Sequence, residues 1–148
     1  MRNPVAEITI PGQIVPYTRV GRAHWAKPAK RYHESQNRII ALMRATPAMR
    51  LLLRRPDGAP RLTVRVAVYL PRTKKGRLSK RCGDWDNLFK AVLDAAVRGG
   101  YIPDDSGYYV AGPADGCGLW PCEQPRVEVA FFEEVDGENS TGEDRGSG

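Results

Sequence analysis

A strictly alternating stretch from residue 62 to residue 70 constrains the fold of this chain most. Apolar side chains occupy every second position, at Leu62, Val64, Val66, Val68 and Leu70. A period of two puts these side chains on one face of a β-strand, so the segment predicts a strand in a sheet whose one face is covered. Pro71 is expected to close the strand.

The second defining element is an amphipathic helix that begins near residue 85. Its apolar side chains recur at steps of three and four, at Trp85, Leu88, Phe89, Val92, Leu93 and Ala96. This spacing predicts one buried helix face. Asp84 precedes the helix where an N-cap belongs, and Gly99-Gly100 supplies the stop.

Weaker patterns complete the expected architecture. They predict a first strand over 6–10, a helix over 32–45, a further helical turn over 51–53, a short strand over 108–110 and a last strand over 126–132. We expect an α/β fold of the α+β type, in which a small mixed β-sheet packs with two main helices. A chain of 148 residues suggests one domain, over residues 1–134, followed by an acidic disordered tail over residues 135–148.

Charge is distributed unevenly along the chain. The net charge is +6, but the residues from 133 onward carry −5, so the preceding part carries +11. A body this basic is typical of a protein that binds a polyanion such as nucleic acid, although a solubilising surface charge is the alternative. Two segments without acids are the expected DNA-binding regions; their candidates are Arg19, Arg22, Lys27, Lys30, Arg31, and, in a loop expected to be mobile, Lys74, Lys75, Arg77, Lys80, Arg81.

The first residues of the chain and its cysteine usage favour a cytoplasmic protein. The first residues lack the apolar core of a signal peptide, and no apolar run reaches the length of a membrane span. Three cysteines without a secretion signal indicate reduced thiols. Cys117 and Cys122 could bind zinc, but a structural zinc site normally has four ligands.

Aspartates around the second helix carry the expected chemistry. Asp84 and Asp86 flank Trp85, and Lys90 follows Asp86 by four residues, on the same helix face. We expect the two carboxylates beside the core, with Asp104-Asp105 able to turn back toward them after the Gly-Gly break. Oxygen ligands suit Mg²⁺ or Mn²⁺, which can activate a water for phosphodiester cleavage. The same residues could instead be an N-cap, a surface ion pair and a turn.

The run Asp84-x-Asp86-Asn87-x-x-Lys90-x-x-x-Asp94, with Asp104-Asp105 further on, resembles the signature of the RusA family of Holliday junction resolvases, which phages and prophages often carry. The resemblance covers most of residues 6–132. It implies that Asp84, Asp86 and Asp105 bind the metal and act in catalysis with Lys90, and that Asp104 matches the first member of the aspartate pair. It also implies a homodimer that nicks two strands of a four-way DNA junction symmetrically, in DNA recombination and repair. Residues 112–121 match no part of that pattern.

Two other classes of function remain open at this point. One is a protein that binds branched DNA without cutting it, although clustered carboxylates that repel phosphate would serve no purpose there. The other is an enzyme that uses paired carboxylates on neutral sugars. The basic segments and the lack of a sugar-stacking aromatic cluster argue against it.

Overall fold

The computed structural model describes residues 2–17 and 27–135, which form a five-stranded mixed sheet with its helices on one face. The α+β class and the pairing of a small mixed sheet with two main helices are therefore confirmed. Arg19, Arg22 and all but the first residue of the expected tail lie outside the described residues.

The strands are β1 (Ala6–Pro11), β2 (Leu62–Pro71), β3 (Val110–Pro113), β4 (Gly118–Cys122) and β5 (Arg126–Glu133). Their order is β1-β5-β2, and both β3 and β4 then pair with β2. The β1–β5 and β5–β2 pairs are antiparallel, whereas β2 pairs in parallel with β3 and β4. Strand β2 is thus the centre of the sheet.

The two faces of β2 have different surroundings. Leu62, Val64, Val66 and Val68 are almost fully buried in the main core, which they share with side chains of both long helices. Arg65 and Tyr69 alternate with them and point to the opposite face. The alternation in the sequence therefore identified the face that the helices cover.

The helices are α1 (Lys27–Ala45), the four-residue α2 (Arg50–Leu53), preceded by a 3-10 turn over Pro47–Met49, and α3 (Trp85–Arg98). Helix α1 begins five residues before the predicted start. Its second residue is Pro28, which a first helical turn tolerates because an amide there has no partner within the helix. Three expected DNA contacts, Lys27, Lys30 and Arg31, consequently stand on a helix and not in a loop.

Helices α1 and α3 pack antiparallel on the sheet. The buried Gln36 amide donates to the Ala91 carbonyl oxygen at 2.9 Å, and the Tyr32 hydroxyl donates to the Asp94 carboxylate at 2.5 Å. Burial raises the pKa of Tyr32 far above its ordinary value, and the bond to Asp94 raises it further, so the phenol stays neutral and donates. Tyr32 is fully buried, so its ring packs inside the protein and offers no surface to a ligand.

Two sequence expectations differ from the structure along the edge of the sheet. The strand expected over 108–110 begins only at Val110, because the amides of Tyr109 and Val110 both donate to the Ser106 carbonyl oxygen in a turn. Strand β4 was not predicted at all. Its residues do not alternate between apolar and polar side chains, and they include Trp120 and Pro121. An edge strand tolerates such a sequence because its outer side needs no hydrogen-bond partner.

Candidate active site

The start of α3 is fixed by one side-chain hydrogen bond to the central strand. The indole Nε1 of Trp85 donates to the backbone carbonyl oxygen of Val66 in β2 at 2.9 Å. Asp84 is the N-cap, as predicted: its side chain accepts from the amide of Asp86 at 3.1 Å. The half-buried Trp85 thereby ties the first turn of α3 to the sheet.

A bulge in the edge strand makes the Val66 carbonyl available to Trp85. Val64 lies opposite Pro113 and Ala67 lies opposite Gly118, so β2 advances three positions where the edge advances five. Two extra residues therefore loop out beside Val66. The Val66 amide donates to Cys117 Sγ at 3.4 Å, in place of a backbone partner.

Cys117 occupies the bulge as a protonated thiol. Burial raises its pKa above the ordinary value, and its Sγ can donate to the Ala114 carbonyl oxygen at 3.1 Å. The sulfur thus satisfies backbone groups on both sides of the irregularity. The sequence showed that the segment was unusual but gave no signal for this function of the thiol.

The carboxylates at the helix start face solvent. Asp84 and Asp86 are both exposed, whereas we expected them beside the core. The difference arises because Trp85, between them, points to the sheet and directs both neighbours outward. Lys90 Nζ lies 3.5 Å from Asp86 Oδ2 and both side chains are more than half exposed, so this ion pair adds little stability.

Asp104 and Asp105 lie at the other end of α3, so the expectation that they turn back toward Asp84 and Asp86 is wrong within one chain. The Ile102 amide contacts the Ala96 carbonyl oxygen near the end of the helix, and the Leu62 amide donates to Tyr109 at the start of β2. The fourteen residues of α3 rise roughly 20 Å between the two pairs of aspartates. Within residues 2–17 and 27–135, no three His, Cys, Asp or Glu side chains are grouped so that they could hold one metal ion.

From residue 72 to residue 81, the loop between β2 and α3 carries six basic side chains and no acidic one. Its centre is a tight turn, in which the Thr73 amide donates to Arg77 at 2.8 Å and the Gly76 amide to Thr73 at 2.9 Å. The basic side chains form no ion pair or hydrogen bond with any described residue; they are Arg72, Lys74, Lys75, Arg77, Lys80 and Arg81. All six are exposed. The loop therefore has a defined turn and presents cations that no described residue neutralises, and its mobility stays a prediction.

The other described cations group near the opposite end of α3. Lys27, Lys30 and Arg31 follow helical spacing, so they share one exposed side of the first turns of α1. The first turns of α1 lie toward the C-terminal end of α3, because Tyr32 contacts Asp94 and His33 contacts Arg98. One chain thus carries one basic group directly before the start of α3 and another toward the C-terminal end of that helix.

Asp94, which is part of the sequence signature, has a structural position. It accepts from Tyr32 and pairs with Arg98 at 3.2 Å, and its side chain is three-quarters buried. These contacts join α1 to α3 and occupy the carboxylate. In this respect Asp94 differs from the exposed aspartates.

Exposed carboxylates and a lysine stand directly after a strongly basic loop, an arrangement typical of the class of proteins that act on a phosphate-rich polymer. A sequence profile of the family described as Endodeoxyribonuclease RusA matches residues 11–130. The chain belongs to the RusA family, and membership implies endodeoxyribonuclease activity on branched DNA junctions. No curated protein sequence matches the chain. No helix among the described residues is long and apolar enough to cross a membrane.

The contacts of Cys117 lead to a prediction about stability. Cys117→Ala should lower the free energy of unfolding by about 1–3 kcal/mol, because the Val66 amide loses its acceptor inside the sheet. Cys122→Ala, at the end of β4, is the matched control, because no hydrogen bond joins its thiol to the described residues. Urea denaturation of the two variants measures the difference. Equal losses of stability would contradict the function assigned to the Cys117 sulfur.

Proposed function

We propose that this protein is a Mg²⁺-dependent endonuclease that resolves Holliday junctions and related branched DNA by paired symmetric nicks. The observation that supports this most is the exposed start of α3, where Asp84, Asp86 and Lys90 stand next to a loop of free cations. The proposed setting is DNA recombination and repair in the cytoplasm of a bacterial cell, with the gene carried by the cell, a phage or a prophage. The nuclease domain spans residues 1–134, and residues 135–148 form the acidic tail.

Asp84 and Asp86 fit a hard divalent cation. Both offer solvent-facing oxygens, and Mg²⁺ is commonly held by one or two carboxylates together with waters and substrate phosphate oxygens. Mn²⁺ is a possible substitute because it accepts the same oxygen ligands. Dependence on a divalent metal is general in the family. When bound, the ion would supply an activated water and stabilise the leaving oxygen.

Lys90 is the proposed catalytic lysine. Its ammonium lies one helical turn after Asp86 and is more than half exposed, so it can leave this weak ion pair when a phosphate arrives. A lysine there can stabilise negative charge that develops on the phosphate. The loop cations before Asp84 would hold the neighbouring phosphates and orient the strand.

We also propose that the protein acts as a homodimer. The signature contains three metal-binding aspartates, but α3 separates Asp105 from Asp84 and Asp86. A two-fold dimer could bring Asp105 of the partner subunit to the start of α3, and with it the cations of the partner's α1. Such a dimer presents two equivalent sites to a two-fold symmetric junction, which accounts for paired nicks.

The metal assignment predicts the behaviour of isosteric variants. Asp84→Asn and Asp86→Asn should each abolish Mg²⁺-dependent cleavage of a labelled four-way junction, because each removes a metal ligand. Junction binding without metal should be unchanged or tighter, because one negative charge near the phosphates is removed. Asparagine also caps helices well, so α3 should remain folded. Cleavage by both variants at the wild-type rate would exclude the site, and a wild-type protein that binds junctions without cutting them in Mg²⁺ would favour the non-cleaving alternative.

The basic loop predicts a change in salt dependence. Changing Lys74, Lys75 and Arg77 together to Gln should weaken binding to junction and duplex alike. The slope of log affinity against log salt should become shallower by about 0.9 for each phosphate that the variant no longer neutralises. The matched control changes Arg44, Arg50 and Arg54, three exposed arginines remote from the loop in sequence, to Gln. If both triple variants bind alike, the loop contributes only general charge.

The dimer can be tested by mixing two inactive variants. A heterodimer of an Asp84→Asn chain and an Asp105→Asn chain would contain two shared sites. One of these sites has both wild-type aspartates, and the other carries both substitutions. One active site should therefore return, and a supercoiled plasmid with an extruded cruciform should be nicked, not linearised. The tight Mn²⁺ stoichiometry should also rise from none in either parent to one per dimer.

The matched control for this test is the heterodimer of Asp84→Asn and Asp86→Asn chains. Both substitutions lie at the same end of α3, so neither shared site is complete and no activity should return. Absence of recovery in the first heterodimer, when the wild-type protein cuts and each parent does not, would show that the subunits do not share a site, while the nuclease function would stand.

A further inference from the structure

Three side chains form a continuous row across the face of the sheet opposite the helices. Tyr69 in β2 lies opposite Arg126 in β5 and opposite Trp120 in β4. The Arg126 guanidinium carbon is 4.0 Å from the centre of the Tyr69 ring. The Tyr69 and Trp120 rings stack with centroids 5.7 Å apart and an interplanar angle of 29°.

The row is fixed at its inner end and open at its outer end. Arg126 Nε donates to Glu128 at 2.7 Å, which holds the guanidinium over Tyr69. Among the described strands, β4 pairs only with β2, so Trp120 stands at the margin of the sheet and remains 39% exposed. No helix covers this face in the described part of the chain.

Gly118 leaves the space that the indole ring of Trp120 occupies. A Cβ atom at Gly118 would lie 2.9 Å from the Trp120 ring, so only glycine lets the ring lie along the strand. The stack on Tyr69 and this close approach to Gly118 both restrict the ring before anything binds, which lowers the entropy cost when a planar ligand stacks on it.

The row is directly connected to the basic loop. The Arg72 amide donates to the Cys122 carbonyl oxygen at 3.3 Å, and Cys122 is two residues after Trp120. Tyr69 precedes Arg72 by three residues, a distance of roughly 10 Å in an extended strand. The exposed indole therefore stands next to the start of the basic loop.

We propose that the row of Arg126, Tyr69 and Trp120 is a stacking site for an unpaired nucleobase. This inference rests on the proposed function, since it assumes that DNA occupies the basic loop. A junction supplies unpaired bases where its strands exchange, and a flat indole that ends a stacked row offers any base a π-face without sequence preference. The cations of the basic loop, next to this row, supply the phosphate contacts. An aromatic pair with only a structural function would not need such contacts.

The test compares binding of a single-stranded oligothymidylate and a duplex of equal length, without divalent metal so that cleavage plays no part. Trp120→Leu should weaken binding to the single strand about 10-fold and leave the duplex affinity nearly unchanged, the effect typical of removing the aromatic partner of one base. Trp120→Phe should restore most of the affinity, because it retains an aromatic face. Thermal melts of both variants verify that the fold is intact.

Fluorescence gives a readout that is independent of affinity. The wild-type protein should lose tryptophan emission when the oligothymidylate binds, and Trp120→Phe should bind with little such quenching, although Trp25 and Trp85 remain. Equal decreases of affinity for single strand and duplex, or full quenching in Trp120→Phe, would overturn the proposal. A change in molar mass of Trp120→Leu in light scattering without DNA would overturn it too, because the face would then be an interface between copies of the chain.

Discussion

The hydrogen bond from Trp85 to Val66 determines how α3 meets the sheet, and the position of every proposed catalytic group on that helix depends on it. A buried backbone carbonyl without a partner costs about 1–3 kcal/mol, so the bond favours one orientation of the helix start over its alternatives. It exists because the edge of the sheet bulges beside Val66 and Cys117 takes the amide of the same residue. An irregular edge strand and the start of a helix thus form one structural unit.

The proposed metal site requires negative charge, whereas its surroundings require positive charge. Carboxylates that hold a cation repel the phosphate that the reaction requires, and this repulsion must be offset by positive charge nearby. Directly before Asp84 the chain places six cations that pair with no acid among the described residues, and it places three more basic residues on the first turns of α1. These two groups lie toward opposite ends of α3, and the proposed dimer rests on this separation.

The elements with a clear period were predictable from the sequence. The alternation over 62–70 identified β2 and its covered face, and the apolar stripe from Trp85 identified α3 and its N-cap. The outward direction of Asp84 and Asp86 could not be predicted, because it follows from the contact of Trp85 with a strand nineteen residues earlier. Strand β4 has no period, since its Trp120 and Pro121 are tolerated by the edge position and not specified by a pattern. The row of Arg126, Tyr69 and Trp120 depends on the register of three strands, which local sequence does not encode.

Paramagnetic broadening by Mn²⁺ tests the central claim most directly, which is that the exposed start of α3 is a metal site that two subunits complete. Backbone amide signals of the wild-type protein would be followed by NMR as Mn²⁺ is added without DNA. The account predicts that signals of residues 84–87 and 104–106 broaden together at the lowest Mn²⁺ concentrations, while those of residues 91–95 in the middle of α3 persist. Broadening at one end of α3 alone, or first at residues elsewhere in the chain, would contradict it.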